Sequence, residues 1–205
     1  CASLCDAVRG TTNSQVLLEQ LLRENLFLIP LDTHNEWFRY HDLFRDALLQ
    51  RARQFKPEDT DKRWQRAVNW LLVHGHVQEG ISQIVQHQDW PWLAKVLAEH
   101  GNNLIHGGFH LPVLSWLDSL PTHTLQDSPQ LLMLRGWALF FANRVDVLEP
   151  LLGELEDMLD KRVADSHPDA EGALGLQSEI SLIRSYLARS KSDDKSASDL
   201  TQQVL

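Results

Sequence analysis

From residue 57 onward no stretch of this chain alternates in the manner of a β-strand; its apolar residues recur instead every three or four positions. That period belongs to helices with one buried face, so most of the chain must bury itself by packing helix on helix. Residues 60–74 give the clearest case. Trp64, Ala67, Val68, Leu71 and Leu72 fall at i, i+3, i+4, i+7 and i+8, and Gly75 follows as the stop. Trp64 and Leu71 are expected to anchor this helix, and Trp64→Ala to cost about 3–5 kcal/mol if the ring is fully buried. A second helix follows with Val77, Ile81, Ile84 and Val85 inward. A third opens on Asp89-Trp90-Pro91, an acidic cap and then a proline where no N–H is needed. It carries Leu93, Val96, Leu97, Leu104 and Ile105 inward as far as Gly107-Gly108. A fourth covers about 110–120, with Pro112 in its first turn and Leu114 and Leu117 inward.

The next unit is a pair. Ser128-Pro129 starts a helix over 129–142, Asn143-Arg144 make a turn, and a second helix covers 145–159. Leu132, Gly136, Leu139, Leu148, Leu152 and Leu155 fall on the packing positions of a tetratricopeptide-like repeat. Asn143 stands where such repeats usually have glycine, and Leu148 where they usually have a small residue. A further repeat is expected from about Leu174, with Ile180, Ile183 and Leu187 inward and the polar stretch 190–195 as its turn. The polar linker 161–172 is expected to be a mobile loop. Both ends look cut, and a lone helical hairpin cannot bury its apolar face, so more repeats are expected to follow.

One segment breaks the helical rule. Residues 27–31 are apolar and β-prone, 32–36 have turn composition, and Trp37-Phe38-Arg39-Tyr40 is strand-like. That is a hairpin, with Pro30 at an edge because it lacks an N–H. A helix over 13–25 precedes it, with Val16, Leu17, Leu18, Leu21 and Leu22 apolar. Another begins near His41, with Leu43, Phe44, Ala47, Leu48 and Ala52 apolar, and ends before Lys56-Pro57. Helix, hairpin, helix is the order of the later part of a winged helix. The expected fold is therefore mainly α: a winged-helix-like module over 1–56, a helical arm over 57–121, and the start of a repeat unit over 122–205, an α-solenoid in its architecture.

Charge and motifs then limit function. Residues 1–56 balance seven basic against seven acidic side chains, so the net charge of −9 lies wholly in the remainder. An acidic surface repels phosphates, and the helix over 13–25 offers Glu19 and Glu24 against Arg23. Direct DNA binding by this chain is not expected. No apolar run is long enough to cross a bilayer, so no membrane partner is expected. The N-terminal residues lack the pattern of a secretory signal. Cys1 and Cys5, four apart on one helix face, are poorly placed to bridge, which fits a reducing, cytoplasmic setting. There is no phosphate-binding glycine loop, no dinucleotide fingerprint, no zinc-protease motif and no nucleophile elbow, so no enzyme activity is expected of this chain. Ten histidines, including His74 and His76, lack the carboxylates or cysteines of a metal set. His74 sits instead where a helix C-terminus favours an imidazole. Six of the seven tryptophans lie in the helical part, as packing residues or as the lining of a groove.

Residues 21–32, LLRENLFLIPLD, a polar turn, and residues 37–44, WFRYHDLF, resemble the MalT-type regulators. The resemblance is specific over about residues 5–54 and looser to about 120. It implies a large signal-responsive ATPase of the LuxR family, with ATPase domain, winged helix, arm, repeat sensor and DNA-binding domain in that order. This chain would cover the middle three. ATP or ADP would bind with the ATPase domain, and an inducer or regulatory protein would bind at the repeats. Related ATPases carry a Met-His-Asp motif whose histidine contacts the ADP phosphate and holds the resting form. Tyr40-His41-Asp42 is similar, which makes His41 the candidate nucleotide contact; the other reading of His41 is a packing residue after the hairpin. The alternative for the whole chain is a helical-repeat adaptor for protein–protein contacts.

Overall fold

The structure is a computed structural model that describes residues 1–55, 57–164 and 170–203. Contacts divide the chain into two compact units, Cys1–Gln86 and His87–Leu205. Each is mainly helical, and the strands among the described residues form one two-stranded sheet in the first unit.

The first unit opens with α1 (Ala2–Arg9) and α2 (Ser14–Arg23). Gly10 ends α1 at φ 71, a conformation that costs glycine little. Asp6 then ties the corner, because its carboxylate accepts the Ser14 amide at 2.9 Å. Hydrogen bonds from the Ser14 hydroxyl and amide, and then the Arg9 charge, pull the Asp6 carboxyl below its ordinary value. The strands β1 (Leu28–Pro30) and β2 (Phe38–Tyr40) pair antiparallel, Leu28 facing Tyr40 and Pro30 facing Phe38. Then come α3 (Asp42–Phe55), α4 (Pro57–Val73) and α5 (Val77–His87). α1 and α3 both pack on α4.

The core of this unit is thin. Its buried apolar side chains among the described residues are Leu18, Leu28, Val68, Ile81 and Ile84. Two sequence expectations are corrected here. Trp64 and Leu71 are only half-buried, so Val68 rather than the indole is the innermost residue of α4. The apolar face expected to bury α3 is instead largely open: Leu43 is 78% exposed and Leu48 is exposed, while Phe44 is half-buried against Phe27 and Tyr40. Periodicity identifies an apolar face but not whether its partner belongs to the same unit.

The second unit contains α6 (Trp90–His106), α7 (His110–Ser119), α8 (Thr122–Gln126), α9 (Pro129–Phe141), α10 (Val145–Ala164) and α11 (Ala170–Gln203). The expected caps form: Asp89 accepts from the Trp92 amide at 3.1 Å and Ser128 from the Leu131 amide at 3.4 Å. α9 is central, packed by α6, α7, α8, α10 and α11, with Leu131, Leu132, Met133, Leu134, Ala138 and Leu139 all buried. Where α6 crosses α9, Gly101 leaves no room for a side chain, since a Cβ there would stand 2.3 Å from Leu134 Cδ2. Asn143 turns the chain between α9 and α10 at φ 55, the left-handed geometry that asparagine tolerates and that explains its place in a glycine position.

The stretch 190–195 does not form the expected turn; α11 runs through it. Those residues are polar but contain neither glycine nor proline, so nothing stops the helix, and polarity alone suits a solvated one. The expected loop over 161–172 is shortened from both sides by α10 and α11, and its middle, 165–169, lies outside the described residues. The short α8 carries no clear sequence signal.

Candidate functional site

The hairpin is held by one side chain at its turn. Asp32 accepts the amides of His34 and Glu36 at 2.9 Å each through Oδ1 and that of Trp37 at 2.6 Å through Oδ2. The Glu36 amide above all, with those of Trp37 and His34, holds this carboxyl below its ordinary value. Leu31 N donates to Trp37 O at 2.8 Å, so the ladder closes directly above the turn. At the other end His41 N donates to Phe27 O at 2.9 Å, while His41 O accepts Arg45 N at 2.9 Å. His41 is therefore the last residue of the ladder and the first hydrogen-bond acceptor of α3.

This double role fixes the backbone of His41 and leaves its ring exposed. Among the described residues the imidazole has no hydrogen-bond partner. Its neighbours along the chain pack on one another. Phe44 lies 5.6 Å from Tyr40 and 5.1 Å from Phe27, ring centre to ring centre. Burial raises the Tyr40 hydroxyl above its ordinary value, and the neighbouring Cys5 adds to this. Asp42 takes an ion pair from Arg45 at 3.3 Å, and Arg45 also binds Asp46 at 3.0 Å. The junction thus presents an exposed imidazole at the positive end of a helix, a place suited to an anion. The negative charge of Asp42 is partly offset by Arg45.

The other sequence candidates lie elsewhere. His74 is exposed just past α4, its ring stacked on Trp70 at 4.1 Å with Nδ1 2.8 Å from Trp70 O. His76 lies 5.1 Å from Trp37, ring centre to ring centre. Among the described residues no three metal-ligating side chains converge. On α2, Gln15 and Gln20 are bonded to Glu19 and Glu24 at 2.9 and 2.8 Å. All seven tryptophans are half-buried rather than enclosed. Among the described residues no helix is long and apolar enough to cross a membrane.

Comparison with known proteins finds similarity to the same regulators that residues 21–44 resemble. A family model described as the MalT winged helix domain matches residues 1–60. An HTH-type transcriptional regulator MalT of Cronobacter sakazakii is 27% identical over 204 residues, covering 99% of this chain and 22% of that protein. The protein of the same description from Klebsiella pneumoniae is 26% identical over 199 residues, covering 97% of this chain and 21% of its own length. The chain spans about a fifth of the length of these curated relatives. No solved structure matches it. The resemblance read from the winged-helix segment is borne out and extends along nearly the whole chain.

Proposed function

We propose that this chain, a relative of the MalT-type transcriptional regulators, is the part of an ATP-dependent LuxR-family regulator that couples nucleotide state to sensing by its helical unit. One observation carries the reading. The exposed ring of His41 stands directly before α3, on which Leu43, Leu48 and Leu49 are exposed apolar side chains. Three exposed leucines on a helix that starts at an anion-suited junction are what a second domain would cover. In the proposal that domain is the ATPase, and its ADP lies between the two. His41 donates an imidazole N–H to the phosphate, a charge-assisted bond, and so holds the resting form. A signal bound by the helical unit shifts the balance between closed and open states. The proposal assigns no catalytic group to this chain and places ATP chemistry and DNA binding in other domains.

The test is His41→Ala in the full-length protein. A hydrogen bond to a charged group contributes about 1.5–3 kcal/mol, so ADP affinity should fall roughly 10- to 100-fold. Transcription without inducer should rise. Normal folding with unchanged ADP affinity would end the reading, and a joint loss of melting temperature and activity would make His41 a packing residue.

A further inference from the structure

The second unit carries an apolar furrow at the rim of its core. On α9, Met133, Trp137, Phe140 and Phe141 fall at i, i+4, i+7 and i+8, on one face. On α11, Glu179, Leu182 and Tyr186 fall at i, i+3 and i+7. The two stripes meet. Trp137 Nε1 donates to Glu179 Oε2 at 2.6 Å. Phe140 lies 5.4 Å from Phe141 and 5.9 Å from Tyr186, and Trp137 lies 5.9 Å from Phe140, ring centre to ring centre. Phe141 and Tyr186 are each 48% exposed and Leu182 45%. Met133 and Glu179 also line a cavity of about 170 Å³, together with Leu97, Leu134, Asn102 and Gln130.

Charge selects the occupant. Residues 87–205 hold nine basic and seventeen acidic side chains. Glu179 is the one charged residue among those lining the cavity. The indole bond fixes one of its oxygens, and no partner among the described residues takes the other. Aromatic faces beside it attract cations as well as apolar groups. The α9 stripe from Gln130 to Phe141 is about 16 Å long at 1.5 Å per residue, a length suited to several residues of a peptide. We propose that this furrow docks a basic, apolar segment of a partner protein. A lysine or arginine of the segment pairs with Glu179, and its apolar side chains lie on Phe140, Phe141 and Tyr186. The inference rests on the sensing role of the helical unit and gives it a ligand chemistry.

The test uses the 205-residue chain and a fluorescein-labelled peptide of alternating leucine and lysine, followed by anisotropy. Its counterpart with glutamate for lysine should not bind. Glu179→Gln keeps a carbonyl acceptor for Trp137 and removes only the charge, so it should leave the melting temperature unchanged and weaken binding about tenfold. The double substitution Phe141→Ala with Tyr186→Ala, at exposed positions, should weaken it comparably. Asp146→Asn, on the exposed surface of α10, should leave binding unchanged. The proposal is overturned by no binding of the lysine peptide, or by equal loss in Asp146→Asn, which would mean bulk charge alone. Indifference to Glu179→Gln would point to a purely apolar occupant. Self-association abolished by the aromatic substitutions would make the occupant a second copy. His41→Ala should not alter peptide binding, and Glu179→Gln should not alter ADP affinity of the full-length protein, so this inference and the nucleotide reading fail separately.

Discussion

Replacing Gly101 by alanine sets two calculable effects against each other. In a helix interior alanine is favoured over glycine by about 1 kcal/mol, and at an open site the change would stabilise. Here the added Cβ would stand 2.3 Å from Leu134 Cδ2 and 2.8 Å from its Cδ1. Leu134 is only 4% exposed and lies in the most heavily packed helix, so it has little room to turn aside. Overpacking of a tight core costs about 1–3 kcal/mol. The severity of this contact puts the cost at the upper end, and the net is a loss of about 2 kcal/mol. For a chain of this size that lowers the melting temperature by about 4–8 °C. Thermal unfolding followed by circular dichroism reads it directly. The same substitution made beside Leu134→Ala, where the obstructing methyls are gone, should be neutral or stabilising, which a double-mutant cycle measures as coupling. An unchanged or raised melting temperature for Gly101→Ala alone would show that α6 and α9 do not cross this closely.

Gly136 should behave oppositely. A Cβ there meets nothing nearer than 3.8 Å, so Gly136→Ala should stabilise by about 0.5–1 kcal/mol, read as a higher denaturant midpoint. Trp64→Ala should cost less than the 3–5 kcal/mol of a fully enclosed aromatic, about 2 kcal/mol, because the ring is half-exposed; urea unfolding will measure it. Asp6 and Asp32 are both held below their ordinary value of 3.8. A depressed carboxyl supplies stability that is fully present above the unfolded value and drains away as pH falls through the folded one. The melting temperature should therefore drop below about pH 5, and Asp6→Asn with Asp32→Asn should flatten that acid limb.

The fold was legible where local chemistry decides it. Asp89 and Ser128 announce helix starts because a short polar side chain satisfies an amide that has no helical partner. Asn143 announces a turn because it tolerates positive φ. The hairpin is readable from a single change of period between residues 27 and 40. Legibility failed where the deciding atom lies elsewhere in the chain. Gly136, the glycine on a recognised packing position, has room for a methyl group at ordinary contact distance. Gly101, with no signal in its own neighbourhood, is the one pressed against Leu134. The polar residues 190–195 have the composition of a turn but no glycine or proline to break a helix, so α11 continues through them. At the candidate site, the position of His41 at the hairpin-to-helix junction follows from sequence. What faces its ring does not, because that surface is open in this unit. The furrow joining Trp137, Glu179 and Tyr186 had only a surplus of tryptophan as its herald, since α9 and α11 must first pack before those residues meet.

The thin core of the first unit makes it a gauge. Five buried apolar side chains among the described residues support Cys1–Gln86, against twenty-three in His87–Leu205. Amides of α1 to α3 should therefore exchange with solvent deuterium through low-energy local opening, well before those of α9. A segment with so small a core gains protection from whatever covers it, the more so the more tightly the cover binds. If a neighbouring domain clasps Leu43, Leu48 and Leu49 in one nucleotide state and releases them in another, the exchange rate of these amides reports which state the regulator occupies.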